Sequence, residues 1–479
     1  MAGWSTTKDL FYKELEQMRD EGAAVNEAEW KKRLEALGDD REKIEALYDE
    51  LTALPVDEEL AAKEPNELDK IRALRTDGPR KMAEPKDEAK LLDQLHGAWL
   101  GRSAGCALGK PFERSPFFFG PNQRKAIETY LKAADAWPLD FYIPGKSPVG
   151  KLEGIDLRSE GIEDEKDTFN IDEDGYMYLG CNRSHRENIE CMESDDDIRY
   201  TLIGLLVAEQ HGADWATADM AKTWLRSLTF GQVCTAETQA YMNLVNVDKR
   251  FDYSDVDWTH NATYRNPFRE WIGAQIRADH FGYAAAGNPE LAADYAWRDA
   301  RLSHTRNGIY GEMFFAAAIA AAFSTSDIHE IINAAMAEIP AECRLAICLR
   351  EVIEKYDALD RDWEATWDWF RFEHPWGKAN YVHTIPNAVV CVLALLHSEG
   401  DFEKTIVYGV LGGMDTDCNG ATVGSIAGIL SGGANAPAKW VDPLHDTIDS
   451  GMPAFLKISM RELAGRSLEI YKATKTLIG

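Results

Sequence analysis

Gly97-Ala98-Trp99-Leu100-Gly101-Arg102-Ser103-Ala104-Gly105-Cys106-Ala107-Leu108-Gly109 places a glycine at every fourth position, and Gly420, Gly424, Gly428 and Gly432 repeat the device near the other end of the chain. At 3.6 residues per turn, such a row runs as a slowly drifting stripe along one helix face. Glycine costs a helix interior about 1 kcal/mol relative to alanine, so eight of them need a reason. Close approach of another helix and backbone access for a ligand are the two candidates. Membrane helices also dimerise through this spacing, but Arg102, Lys110 and the short apolar lengths speak against that here. The reading adopted is two central helices crossing tightly beneath a site.

Outward from these stretches the texture is that of small, apolar, Gly- and Ala-rich helices. Positions 202–209, 314–323, 388–396 and 421–430 are compact apolar runs without the alternation of exposed strands. The expected fold class is therefore all-α. Between positions 115 and 190 lies a long, less periodic insertion rich in Pro, Gly and acids. Within it 168–179 alternates and carries Asp174-Gly175, a hairpin turn signal. The first ninety residues differ again, with Leu34, Leu37, Ile44 and Leu47 at helical spacing and prolines at 55, 65, 79 and 85. They are expected to form a small helical appendage (1–90), joined through a charged connector at 76–90 to a body at 91–479. Packing without chemistry is the plainest role for the appendage.

Composition narrows the function classes. The chain has 479 residues, 45% hydrophobic and 28% charged, with 52 Lys+Arg against 81 Asp+Glu. Its 14 Trp, 17 Tyr and 18 Phe supply ample core, which argues against disorder. A net charge of −29 without a basic patch makes a nucleic-acid partner improbable. No run of about 18 apolar residues suggests a membrane span, and positions 1–12 lack the apolar core of a signal peptide. Eight scattered cysteines form no CxxC pair, so a reduced, cytoplasmic setting is expected.

The chemistry concentrates in two acidic clusters. Glu193-Ser194-Asp195-Asp196-Asp197 opens an apolar helix. Helix capping by the macrodipole accounts for acids there, yet three consecutive aspartates repel one another more than capping requires. A divalent cation with oxygen ligands, Mg²⁺, Mn²⁺ or Ca²⁺, would relieve that repulsion. In Gly412-Gly413-Met414-Asp415-Thr416-Asp417-Cys418-Asn419 two glycines precede a D-x-D, a poor cap and a good cation loop. A third candidate fails: Asn170, Asp172, Asp174 and Gly175 open like an EF-hand loop, but the twelfth position is Cys181. His304, Asn307 and Gly308, and likewise His383 and Asn387, lie in small-residue loops just before helices, where phosphates are readily bound. Each alone also fits a satisfied buried polar residue. The histidines have no recognisable nucleophile partner, since there is no G-x-S-x-G elbow.

Taken together, the glycine helix ending in Gly109-Lys110-Pro111-Phe112-Glu113, the acidic triplet, the Ser-His loop and the G-x-D-T-D-x-N loop resemble the ADP-ribosylglycohydrolase family. The matching blocks run from about residue 91 to 470. The resemblance implies an all-α bundle with two Mg²⁺ or Mn²⁺ ions at its centre. It assigns Asp195, Asp196, Asp197, Asp415, Asp417 and Cys418 to the metals, with Asp195 and Ile198 replacing the two threonines of the family's T-D-D-T and Cys418 replacing a threonine ligand. A one-residue slip would put Ser194 in the first of those positions, and both registers are kept. Glu113, Asp196 and Asp415 carry over as catalytic residues. Gly273, Gln275, His304, Asn307, Gly308, His383 and Asn387 carry over as substrate contacts, with amides near Gly273 and His304 on the diphosphate.

The implied reaction is attack of a metal-activated water on the anomeric carbon, through an oxocarbenium-like transition state, with Glu113 as general acid or base. The implied partner is ADP-ribose on a small molecule or a protein. Two rivals are a hydrolase of another N- or O-glycoside on the same fold, and a non-catalytic relative like the lens crystallins of this family.

Overall fold

In the computed structural model, residues 5–166, 168–247 and 252–478 are described. Among them are 22 α-helices and two small antiparallel sheets. Those that bear on the site, in chain order, are α1 (Thr7–Asp20), α2 (Glu27–Ala36), α3 (Arg41–Thr52), α4 (Glu88–Gly109), α5 (Asp196–His211), α6 (Thr235–Val245), α7 (Asn307–Ala322), α8 (Thr384–Ser398), α9 (Thr416–Ser431) and α10 (Met460–Ile478). The all-α expectation holds. No described helix is long and apolar enough to cross a membrane.

α4 and α9 form the axis of the molecule. They run antiparallel, with Gly97 against Gly428, Gly101 against Gly424, Gly105 against Gly420 and Gly109 against Thr416. A Cβ at any of these glycines would land deep inside the facing backbone carbonyl. Of the two reasons offered for the glycine rows, close helix approach is therefore the operative one. Gly432 is the exception, because it lies past the end of α9 and closes the helix at φ 71°. α4 starts where Asp87 accepts from the amides of Ala89 and Lys90. From there α4 is buried almost throughout, from Gln94 to Gly109, as a helix apolar on all sides must be.

The N-terminal helices begin at side-chain caps: Thr6 for α1, Asn26 for α2 and Asp40 for α3. They bury Phe11, Leu15, Trp30, Leu34, Tyr48 and Leu51 in a small core of their own, completed from the body by Ala236, Phe268 and Trp271. Buried ion pairs fasten this core to the body. Arg269 donates to Glu14 and Glu21 at 2.7 and 2.8 Å, and Arg344 to Glu64 and Glu270 at 2.6 and 2.8 Å.

The 115–190 segment joins the same core as the glycine helices, burying Ile127, Tyr130 and Tyr142 there. Its turn forms at Asp174-Gly175, with Gly175 at φ 80° and its amide donating to the Asp172 carbonyl. The hairpin read from the alternation is reduced to a single bridge between Ile171 and Met177. The real ladder pairs β1 (Lys146–Ser147) with β2 (Met177–Tyr178). Alternation marked the strand correctly but could not name its partner.

Candidate metal centre

Three chain segments meet at one end of the α4–α9 pair. The chain leaving α4 carries Lys110 and Glu113, the start of α5 carries Asp195, Asp196 and Asp197, and the start of α9 carries Asp415, Asp417 and Cys418. Ligand atoms within 4.8 Å of one another group as Glu113–Asp415–Asp417, as Asp197–Asp417–Cys418, as Cys106–Asp195–Asp417 and as Asp195–Asp196–Asp197. Asp417 belongs to three of these four sets. Asp195, Asp197, Asp415 and Asp417 are buried, while Glu113 is exposed and Asp196 half-buried, so the cluster opens on their side.

Capping explains the acids only in part. Asp195 is the N-cap of α5, and its Oδ1 accepts from the Asp197 amide at 3.0 Å. Asp415 is the N-cap of α9 but its side chain makes no capping bond. Ser194 is engaged elsewhere, donating to the Ser450 carbonyl and accepting from Arg199 at 2.6 Å in each case.

The electrostatics are those of crowded anions. Burial, then the charge of Asp417, pushes the Asp197 and Asp415 carboxyls well above the ordinary carboxylate range. Asp196 is pushed up to about 6 by burial and by Asp195. Glu113, despite its exposure, is raised well above its ordinary value by lost hydration and by Asp417, Asp195 and Asp415. Asp195 alone goes the other way: burial would raise it, but Lys110 Nζ at 2.7 Å holds it low. Two buried acid oxygens have no hydrogen-bond partner: Asp417 Oδ1, and Asp197 Oδ1, which has only the looser ion pair with Arg102 Nη2 at 3.5 Å. A buried carboxylate left so costs several kcal/mol, and a cation relieves it directly. The donor set fits a hard divalent ion. Cys418 is raised well above its ordinary value by burial and by Asp197. Its Sγ donates to Asp197 Oδ2 at 3.2 Å.

Positive charge arrives from Arg102 and Lys110, to which the sequence reading gave no role in the site. Arg102, fully buried in the glycine helix, donates to the carbonyls of Asp197 and Ile276 at 2.7 Å and pairs with Asp279 at 2.7 Å. Lys110 donates to the Ser194 carbonyl as well as to Asp195. An arginine within the buried, mostly apolar stretch of that helix was the available signal.

The expected substrate contacts fall into three groups, all buried. Asn387 Oδ1 accepts from the Asp415 amide (3.2 Å) and from Asn419 Nδ2 (2.8 Å), and Gln275 reaches the same spot through Cys391. Gly273 and His304 meet on Glu237 of α6. A Cβ at Gly273 would strike the Glu237 carboxylate, and His304 Nε2 lies 3.9 Å from it, with Gly308 packed against the imidazole. Glu237, which sequence reading missed, is pushed up to about 7 by burial, against the pull of Arg277 at 2.7 Å. Asn307 and His383 converge instead on Glu270, at 3.2 and 3.7 Å. Glu270 is the acid that Arg344 shares with Glu64 of the N-terminal segment, and the His383 carbonyl accepts from Asn387 Nδ2 at 3.0 Å.

These shifts fix a pH dependence. An acid whose folded pKa is raised binds its proton more tightly when folded, so stability falls as pH climbs from the unfolded to the folded value. For Asp196 and Glu237 that window runs from about 4 to about 7. Asp195 and Glu270, held low by Lys110 and Arg344, contribute the opposite slope, only below the ordinary carboxylate range. Chelator-treated protein should therefore melt at progressively lower temperature between pH 5 and pH 7.5. A Tm that rises over this range would contradict the assignment.

The chain thus brings carboxylates from three remote segments to one point that could hold a metal ion. A family model described as ADP-ribosylglycohydrolase matches residues 87–476, and the chain belongs to that family. Membership places it among the glycohydrolases. A solved structure titled "ADP-ribosylglycohydrolase-related protein complex" aligns with 81% of this chain and 99% of its own, at 17% identity and a TM-score of 0.45. No curated protein matches the chain.

Proposed function

We propose that the chain hydrolyses the glycosidic bond of ADP-ribose carried by a protein or a small molecule. Two Mg²⁺ or Mn²⁺ ions would be held by Asp195, Asp196, Asp197, Asp415 and Asp417. The observation that carries this reading is Asp417, shared by three ligand sets and buried with Oδ1 unpartnered. When bound, the ions supply charge neutralisation and Lewis-acid activation of a water.

The chain's own residues do the rest. Lys110 keeps Asp195 ionised, and Arg102 pins the main chain of Asp197 from behind. The buried Gln275–Cys391–Asn419–Asn387 relay fixes the amide of Asp415 and with it the first turn of α9. Ser194 is committed to Ser450 and Arg199, which favours the register with Asp195 in the first motif position. Glu113, on the open side with a raised carboxyl, can give a proton to the leaving group or take one from the attacking water. Gly273 and His304, stacked around Glu237, would form the wall on the diphosphate side.

Purified protein assayed on ADP-ribosylated protein should lose activity in chelator and regain it with Mg²⁺ or Mn²⁺; turnover indifferent to metal removal sinks the mechanism. One observation favours a narrower or altered substrate. The N-terminal helices bury Phe268 and Trp271, immediately before Gly273. Comparing ADP-ribosylated protein, free ADP-ribose derivatives and simple glycosides as substrates distinguishes the two readings.

A further inference from the structure

A second concave site lies outside the acid cluster, in the seam between the N-terminal helices and the body. It is a cavity of about 390 Å³, faced by Glu14, Glu21 and Tyr48 on one side and by Arg269, Thr305 and Arg306 on the other. None of the clustered acids lines it. That volume is in the range of small-molecule sites.

Its lining sets three acids, Glu14, Glu21 and Asp49, against three arginines, Arg265, Arg269 and Arg306, so it is formally neutral, but the contacts are unevenly shared. Glu14 and Glu21 are both consumed by Arg269, and Asp49 pairs with Arg265 at 2.8 Å. Arg306 is the one arginine of the three with no acid in contact among the described residues. It is only 8% exposed, forms no ion pair among the described residues, and its Nη1 has no hydrogen-bond partner. Glu21 and Glu270 sense its charge without contacting it. The neighbouring Thr305 is 4% exposed, and its Oγ1 is likewise unpartnered. Both residues are held in place by their main chains, Arg306 N donating to Asn66 Oδ1 at 2.8 Å and Thr305 N to the Arg269 carbonyl at 2.9 Å. A guanidinium stays ionised, so burying one without a counter-ion is costly. An unpaired buried cation beside an unpaired hydroxyl, both lining one cavity, is the donor half of an anion site.

We propose that this cavity binds a small organic oxyanion, a carboxylate or a phosphate ester, through the Arg306 guanidinium and the Thr305 hydroxyl. The planar fork of arginine suits either oxyanion. Because the walls come from both the N-terminal helices and the body, the ligand ties one to the other.

The test is calorimetric titration and thermal melting of chelator-treated full-length protein with inorganic phosphate and, separately, with malonate. Parent, Arg306→Gln and Thr305→Val proteins are compared after circular dichroism has shown each to be folded. The parent should bind one anion per chain and melt at higher temperature as the anion is added. Arg306→Gln should weaken binding at least about tenfold and Thr305→Val should weaken it less. If Arg306→Gln does not fold, Thr305→Val alone carries the comparison. Phosphate binding without malonate binding identifies a phosphate ester, and the reverse a carboxylate. Binding unchanged in the variants, or none in the parent at tens of millimolar anion, overturns the proposal. So does displacement of the anion by ADP-ribose, which would make the cavity the far end of the substrate cleft. Chelation removes metal-held phosphate from the measurement, so failure of the metal-hydrolase reading leaves this test intact.

Discussion

Asp417→Asn should lower turnover on an ADP-ribosylated substrate by on the order of a thousandfold, about 4 kcal/mol of transition-state stabilisation. Asp417 joins three ligand sets, so its loss disturbs every proposed metal position at once. The same change should make the metal-free protein more stable. Asp417 is the leading charge raising the pKa of Glu113, Asp197 and Asp415, each of which is also raised by lost hydration. Removing one like charge from such a group relieves repulsion without changing side-chain volume. The expected pair of results is therefore a dead enzyme with a higher Tm in chelator and little further gain on adding Mn²⁺. A variant that is inactive because it is unfolded shows the opposite melting shift. Near-parental turnover would remove Asp417 from the centre.

The second large effect belongs to the glycine helices. Exposed helix interiors gain about 1 kcal/mol when glycine becomes alanine. Gly101→Val should instead destabilise by more than about 4 kcal/mol, because its Cβ falls on the Gly424 carbonyl and neither backbone can step aside without moving the whole pair. Gly465 in α10 is the control: nothing lies within 4 Å of a Cβ built there, so Gly465→Ala should be neutral or stabilising by roughly 0.5–1 kcal/mol. Denaturant melts of the two variants read both signs. Equal behaviour would mean that the α4–α9 contact is looser than described.

These two regions were also the most legible in the sequence, for a physical reason. A four-residue glycine spacing and a D-x-D after two glycines are local patterns, and local patterns are set by backbone geometry within one or two turns. Charge compensation was not legible. Lys110 reaches Asp195 across 85 positions and Arg102 reaches Asp279 across 177, and nothing near either residue announces its partner. Glu237 was missed because one acid at the start of a helix looks like any capping acid; only the approach of Gly273 and His304 makes it distinct. His383 and Asn307 shared the loop-before-helix signature with Asn387. Their side chains part company: those of His383 and Asn307 turn to Glu270, which Arg344 engages, while Asn387 donates to the His383 carbonyl and accepts from the Asp415 amide.

The antiparallel pairing of α4 with α9 also sets a timetable. Gly105 and Gly420 must find each other across more than three hundred residues of intervening chain, and contacts that close so long a loop form slowly. Every residue offered to the cations sits at or beyond the ends of those two helices or at the start of α5, so the binding point does not exist until the closure is made. The acid cluster is then a property of the finished topology rather than of any segment. A chain that has synthesised everything up to residue 414 owns four of the six carboxylates and none of the centre.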